Sequence, residues 1–474
     1  PVHGVDSFEH AAVIRELAAR TWEPHHPLLG IRATHGLFSP YLVTLSLVAR
    51  ATGAAPFRLL AAAGFVNLAL FLAAFPLATE TLLGRRNPAF LALLFTLFLW
   101  GLKPWYWSGF LHFGVLGMVL GYPSFFAFGL ALLGVWAGGR YLQRGGLGFA
   151  MVTFGLSLLV LLDHPISAAA LWILLAAMAW RAWIPELRRR SVVLAAVIPA
   201  STVAALFWPY FPLANLLLRQ AADYHANERP MYQEVLLRIG PGLLGLPFLI
   251  VRLRRDARDP VAIGALTLAG VYVFGWASGA WALGRTLPSI VLLLHLALAD
   301  GLAGRQAPRL RGAWEGSRAL RAILVATPVM VVAGVAWNFQ AAFARMVTGN
   351  EDVESRFECV QRHVGADSLV LADLTTSGML PAFAGKVVAV RNALPFVPDA
   401  ARRREDLDRF FAVGAPPEER RSILERYRPQ FLLFDRENLS EAGAIQSLVA
   451  RRSRTVCDGE DLTLVALDPA ATRP

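Results

Sequence analysis

The chain has 474 residues, 56% of them hydrophobic and 17% charged, with a mean hydropathy of +0.49. Soluble domains carry roughly a quarter charged residues, so this composition excludes an ordinary soluble enzyme and indicates a polytopic membrane protein. The net charge of +11 would suit a nucleic-acid binder, but the basic residues fall in loops between apolar stretches, where they report membrane orientation and call for no nucleic acid.

The chain opens on Pro, and no charged leader with an apolar run precedes Asp6. The topology below puts residue 1 outside, which needs an earlier crossing, so one further helix is expected upstream. Residues 1–37 are polar and rich in Pro and His; they read as an outer loop with a helix near Ser7–Ala19. Residues 38–53 are apolar but short for a span, and counting them as a crossing would invert every later loop. They are expected as an interfacial helix on the outer face. About ten crossings follow, a span needing a long apolar run: 57–83, 87–101, 123–138, 147–162, 166–181, 191–209, 240–252, 260–278, 287–303 and 321–340.

Alternating these crossings gathers five arginine-rich loops on one face: Arg85–Arg86, Arg140–Arg144, Arg181–Arg190, Arg252–Arg258 and Arg305–Arg321. Cytoplasmic loops collect Lys and Arg, so that face is expected to be the cytoplasm. The opposite face carries the long loops 102–122 and 210–239 and a collection of histidines, acids and aromatics that mere connectors do not need. After Phe339 the composition becomes charged and mixed. Strand runs at Ser368–Ala372, Lys386–Val390, Gln430–Phe434 and Leu462–Ala466 alternate with helical stretches at Arg403–Phe411 and Pro417–Tyr427. The fold expected is therefore an α-helical polytopic membrane domain over 1–344, with outer loops 1–56, 102–122 and 210–239, and a small periplasmic α/β domain over 345–474. Both cysteines, Cys359 and Cys457, lie in this tail. They suit two small buried residues, or a disulfide if the tail is extracytoplasmic; their spacing gives no metal motif.

Several outer-face residues carry candidate chemistry. Asp6 and Glu9 share a helix face, with His10 four residues from Asp6, an arrangement suited to proton abstraction or metal binding and equally to a solvated helix start. Asp163-His164-Pro165 joins two crossings with no spare loop; it is either an ionisable pair facing a water-filled cavity or a helix cap. Arg285 could hold a phosphate in a bidentate fork or simply snorkel, and Arg58 and Arg229 share that ambiguity. Lys103 with Trp105 and Trp107 forms part of an aromatic belt or a lipid and sugar platform, to which Tyr122 and Tyr224 could add. His25, His26 and His35 read as solvated loop residues, and His295 as a helix–helix hydrogen bonder. There is no phosphate-cradling Gly loop, nucleophile elbow or zinc motif.

The constellation resembles the GT-C fold superfamily of polytopic glycosyltransferases, which includes protein mannosyltransferases and aminoarabinose transferases. In that family an acidic motif follows the first crossing, matched here by Asp6 with Glu9. A Pro-led interfacial helix follows, matched by Ser39-Pro-Tyr-Leu-Val43, then an Arg before the next crossing, matched by Arg58, and a short basic turn, matched by Gly84-Arg-Arg-Asn87. A second outer loop (102–122) and an outer α/β tail complete the likeness. The chain departs from it in having two residues between its acids, where many members have them adjacent. The resemblance implies a multi-pass enzyme of a bacterial inner membrane that transfers a sugar, with inversion, from a polyprenyl-phosphate carrier to a glycan, lipid or protein acceptor. Asp6 would be the general base, supported by Glu9 and His10, or with Asp163 a ligand for Mg²⁺ or Mn²⁺. Arg285, with Arg58, His164 and Arg229, would bind the donor phosphate. The alternatives are a non-catalytic scaffold of the same fold and a transporter; the latter would show ionisable groups at mid-membrane and matching broken segments.

Overall fold

Long uninterrupted apolar segments leave little choice but helix, since only a helix satisfies its own backbone within lipid. The computed structural model describes residues 5–218, 226–303, 318–348, 353–391, 396–435, 445, 447, 453–459 and 461–468. Each of the ten expected crossings is helical: α3 (Pro56–Leu83), α4 (Ala89–Phe98), α6 (Pro123–Arg144), α7 (Leu147–Asp163), α8 (Pro165–Arg181), α9 (Arg188–Ala205), the broken segment Val235–Arg255, and the helices Pro260–Ser278, Leu287–Ala303 and Arg318–Thr348. Among the described residues, six helices are long and apolar enough to cross a membrane by length and composition alone. Large apolar side chains such as Phe65, Phe90, Leu147, Phe274 and Val332 stay exposed, as expected of a surface solvated by lipid. A short helix, α5 (Phe113–Val119), lies within the 102–122 loop. The seventh segment breaks at Gly240-Pro241-Gly242 into a 3-10 stretch, Gly240–Gly245, that packs on Leu287–Ala303. His295 bridges two helices as expected, its Nε2 lying 3.1 Å from the Leu99 carbonyl.

Four of the five arginine loops meet one another, as a shared face requires; most of the fifth, Arg305–Arg321, lies outside the described residues. Arg85 Nε donates to Asp300 at 2.8 Å, and Arg252 donates to Asp300 at 2.5 Å and to Asp259 at 2.6 Å. Arg181 pairs with Asp256 at 3.0 Å, and Arg190 caps the carbonyls of Leu142 and Gln143 at the end of α6. Asp300 and Asp259 are buried, so these arginines offset carboxylates that would otherwise be costly to desolvate.

The chain divides into two units, one spanning Ala61–Gly349 and the other combining His3–Leu60 with Asn350–Pro474. The outer loops 1–56, expected with the membrane helices, thus cluster with the tail. The second unit holds a five-stranded sheet of order β2-β1-β3-β5-β4, with β1 (Leu369–Ala372), β2 (Lys386–Val387), β3 (Phe431–Asp435), β4 (Ser453–Asp458) and β5 (Leu462–Leu467). β2, β1 and β3 run parallel; β5 is antiparallel to β3 and β4. One face packs Ala12, Leu28 and Leu29 with Phe357 and Leu464; the other packs Leu407, Phe410 and Ile423 of the helices Ala400–Phe411 and Pro417–Tyr427. The backbone explains the grouping. Residues 28–30 extend the sheet beside β2, with Val387 N–H donating to the Leu28 carbonyl at 2.8 Å and Gly30 N–H to the Val387 carbonyl at 3.3 Å. α1 (Val5–Ala19) is fastened to the same edge, Lys386 reaching Glu16 at 2.6 Å and the carbonyls of His26 and Pro27 at 3.0 Å. α2 (Pro40–Thr52), expected as the interfacial helix, starts on Pro40 and ends at Gly53.

Candidate active site

In the second unit the acidic motif lies on α1. Asp6 occupies the first turn, where its charge suits the helix N-terminus, and is exposed. Glu9 is mostly buried and pairs with His35 Nε2 at 3.2 Å. His35 Nδ1 accepts from Leu37 N–H at 3.3 Å, which leaves Nε2 to donate to Glu9. His26 packs edge-on against His35 with ring centroids 4.9 Å apart, its own Nδ1 accepting from Leu28 and Leu29. His26 and His35 are buried, which corrects the expectation of solvated loop residues: the turn that His26 caps lies along the sheet edge, and His35 packs on the His26 ring. His10 is buried too; burial pushes its pKa down to about 4, with Glu9 pulling up and His35 pushing down. The motif therefore splits into an exposed Asp6 and a Glu9 anchored on His35. Arg58 stands exposed in the first turn of α3.

In the first unit, two turns at the ends away from the arginine loops build a second cluster. The 3-10 turns Ala226–Tyr232 and Trp281–Thr286 pack together and against the start of α8. Arg285 on one turn forms an ion pair with the buried Glu228 on the other. His164 caps α8: its Nδ1 accepts from Ser167 N–H at 3.3 Å and lies 2.9 Å from Ser167 Oγ. The tautomer this favours puts a proton on Nε2, which is buried without a partner among the described residues, close enough to Arg285 to feel its charge. One carboxylate oxygen of Glu228 is likewise unmatched. Asp163 is buried beside His164. Tyr232 stacks on Tyr272 at 4.5 Å and meets Trp281 edge-on at 5.5 Å, and Gly284 leaves the room this needs: a Cβ there would lie 2.9 Å from the Tyr232 ring. Arg229 is exposed and lies 5.7 Å over the Trp281 ring.

The 102–122 loop is pinned to Val235–Ile239. Gly101 N–H donates to the Arg238 carbonyl at 2.8 Å, an approach a Cβ would block. Lys103 pairs with Glu234 at 2.9 Å, and the Arg238 guanidinium covers Trp105 at 3.4 Å. Trp105 and Trp107 do lie together, 4.9 Å apart, but one face of Trp105 is already taken. Tyr122 is buried at the start of α6. Tyr224 lies outside the described residues.

Among the described residues, the group spaced to hold a metal is Cys359, His363 and Cys457, in which the cysteines form a disulfide; neither the Asp6–Glu9 motif nor Asp163 belongs to such a group. Sequence reasoning gave Glu228 a place on the outer face but no role, because its ion pair with Arg285 depends on two turns far apart in sequence. It missed His363 because the cysteines it accompanies are 98 residues apart.

No protein-family profile and no curated sequence relative matches the chain. Solved structures do. ArnT from Cupriavidus metallidurans, solved bound to undecaprenyl phosphate, is similar over 99% of this chain and 95% of its own, at a TM-score of 0.57 and 12% identity. The chain has the GT-C fold. Apo ArnT from the same organism matches at a TM-score of 0.53 and 13% identity over 99% of this chain and 94% of its own. The oligosaccharyltransferase of Archaeoglobus fulgidus, tethered to an acceptor peptide containing an NVT sequon, matches at 0.57 and 11% identity, over 96% of this chain and 68% of its own. At such identities the GT-C likeness is one of fold.

Proposed function

We propose that this GT-C chain is a membrane glycosyltransferase that moves a sugar from a polyprenyl-phosphate carrier to an acceptor, with inversion, on the face opposite the arginine loops. The observation that carries the reading is the Arg285–Glu228–His164 cluster: a half-buried cation on a buried carboxylate, and an unsatisfied imidazole donor, at a membrane-helix edge, within a fold whose solved neighbour ArnT holds undecaprenyl phosphate. Arg285 and His164 would take the phosphate oxygens and stabilise the charge left on the departing lipid phosphate. Glu228 holds Arg285 in the absence of donor and would yield it when the phosphate arrives. Arg229 and Arg58, both exposed, are secondary candidates for that charge.

Asp6 would take the proton of the acceptor hydroxyl, because it is the exposed carboxylate of the motif, while Glu9 is tied to His35. Such base catalysis is typically worth about 10²–10⁴-fold. The disulfide supports an extracytoplasmic tail, since such bonds persist in oxidising compartments, and the arginine loops support a cytoplasmic opposite face. A bacterial inner membrane with a periplasmic tail fits both. The acceptor is a glycan, lipid or protein reached from that side, and the Trp105–Trp107 pair is the surface we assign to lipid or sugar. The second reading, a non-catalytic scaffold, is favoured by the ion pair that already engages Arg285. Transfer by the reconstituted chain from labelled polyprenyl-phosphate sugars to a membrane extract separates the two. Product of inverted anomeric configuration supports the enzyme; no product from any donor supports the scaffold.

A further inference from the structure

The cystine in the sheet unit has a third member. Cys359 and His363 are four residues apart on the helix Glu358–His363 and so share a face. Cys457 comes from the edge strand β4, where a register shift between Thr455 and Cys457 turns it inward beside Leu464. His363 Nδ1 lies 3.8 Å from Cys359 Sγ and 3.6 Å from Cys457 Sγ. A tetrahedral zinc ion with Zn–S bonds of about 2.3 Å and Zn–N bonds of about 2.05 Å holds its sulfur and nitrogen ligands about 3.6 Å apart. The imidazole thus already stands at a ligand's distance from both sulfurs. The cysteine Cα atoms are 6.1 Å apart, which lets the sulfurs part to the ~3.8 Å of two thiolates on one ion.

We propose that Cys359, Cys457 and His363 form a redox-gated site for a thiophilic divalent ion of the Zn²⁺ class, closed while the cystine is intact and open once it is reduced. A dithiol reductant supplies two electrons and two protons, becoming a disulfide itself and leaving two thiols. The ion then displaces both thiol protons to solvent. His363 Nδ1 donates to the Cys359 carbonyl at 2.9 Å in the oxidised chain. On binding it yields that proton while Nε2 takes one from water, an exchange open to it because His363 is exposed. The same exposure leaves the fourth coordination position to water. Two soft sulfur ligands and an imidazole select Zn²⁺ over Mg²⁺ or Ca²⁺.

The test uses the full chain in detergent, reduced with a phosphine, freed of reductant, assayed for thiols and titrated with Co²⁺ as a spectroscopic stand-in for Zn²⁺. The reduced protein is expected to release two thiols and to develop one equivalent of thiolate-to-cobalt charge-transfer absorption, which the oxidised protein lacks. Cys457→Ser should abolish the band, and His363→Ala should weaken binding by more than about tenfold. Zn²⁺ should raise the Tm of the reduced wild type and leave the Cys359→Ser/Cys457→Ser double variant unmoved, which guards against loss of fold in the single variants. Any of three results would overturn the proposal: a cystine that the phosphine does not open, free thiols without the band, or wild-type affinity in His363→Ala.

Discussion

Exchanging Glu228 for glutamine isolates the role of the ion pair at Arg285. Glu228 is buried and its carboxylate is the counter-ion of a guanidinium whose side chain is 24% exposed. A donor phosphate must compete with that carboxylate before it can use the same N–H groups. A hydrogen bond to a charged partner is worth about 1.5–3 kcal/mol net, and 1.4 kcal/mol is about tenfold in affinity. Glutamine keeps an acceptor for Arg285 but removes the competing charge, so Glu228→Gln should tighten polyprenyl-phosphate binding by about tenfold. Arg285→Gln should loosen it by about tenfold to a hundredfold, and the double variant should bind as weakly as Arg285→Gln while avoiding an unpaired buried carboxylate. The assay is equilibrium displacement of a labelled polyprenyl phosphate from nanodisc-embedded protein, at two salt concentrations. Unchanged or weaker binding by a folded Glu228→Gln, or wild-type binding by Arg285→Gln, would refute the reasoning.

Three further outcomes follow from buried charge. Asp300→Ala leaves Arg85 without its carboxylate and Arg252 with Asp259 alone, and should cost up to about 3–5 kcal/mol, read as a lower thermal midpoint in detergent. Burial raises the Glu16 carboxyl, but the Lys386 ammonium and its hydrogen bond outweigh this and hold it below its usual value. The stability Glu16 contributes is therefore complete above the ordinary carboxyl range and lost as pH falls through the lowered value; Lys386→Met should move the acid transition of the sheet unit to higher pH. His10 runs from an ordinary 6.5 to about 4 in the folded chain, so the unfolded chain binds more protons between those values and stability falls as pH drops through that window. At 1.36 kcal/mol per pH unit this is worth about 3 kcal/mol, and His10→Gln should flatten that part of the stability profile.

Much of the helical unit is legible in the sequence because lipid imposes a single rule on each crossing. Apolar length marks the ten helices, and arginine placement marks their ends, where Arg85, Arg252, Arg181 and Arg190 do meet neighbouring loops. The sheet unit is less legible. β4 reads Ser-Arg-Thr-Val-Cys-Asp, too polar to stand out, because an edge strand needs only one buried face and a bulge interrupts its alternation. The packing of residues 28–30 on β2 is made by backbone groups, which side-chain patterning does not record. The site divides in the same way. The Asp6–Glu9–His10 motif, the Asp163-His164 pair and Arg285 stand out as ionisable groups beside apolar or aromatic segments. Glu228, His35 and His363 gain their meaning only from partners that the fold brings to them.

Release of polyprenyl phosphate from polyprenyl-phosphate sugars, by purified wild type and Asp6→Asn in the presence of crude acceptor extract, decides whether this chain transfers sugar. Acceptor-dependent release is expected from the wild type, with a loss of about a hundredfold or more in Asp6→Asn and polyprenyl-phosphate binding preserved. Full release by Asp6→Asn, or none by the wild type with any donor it binds, would contradict the transferase reading.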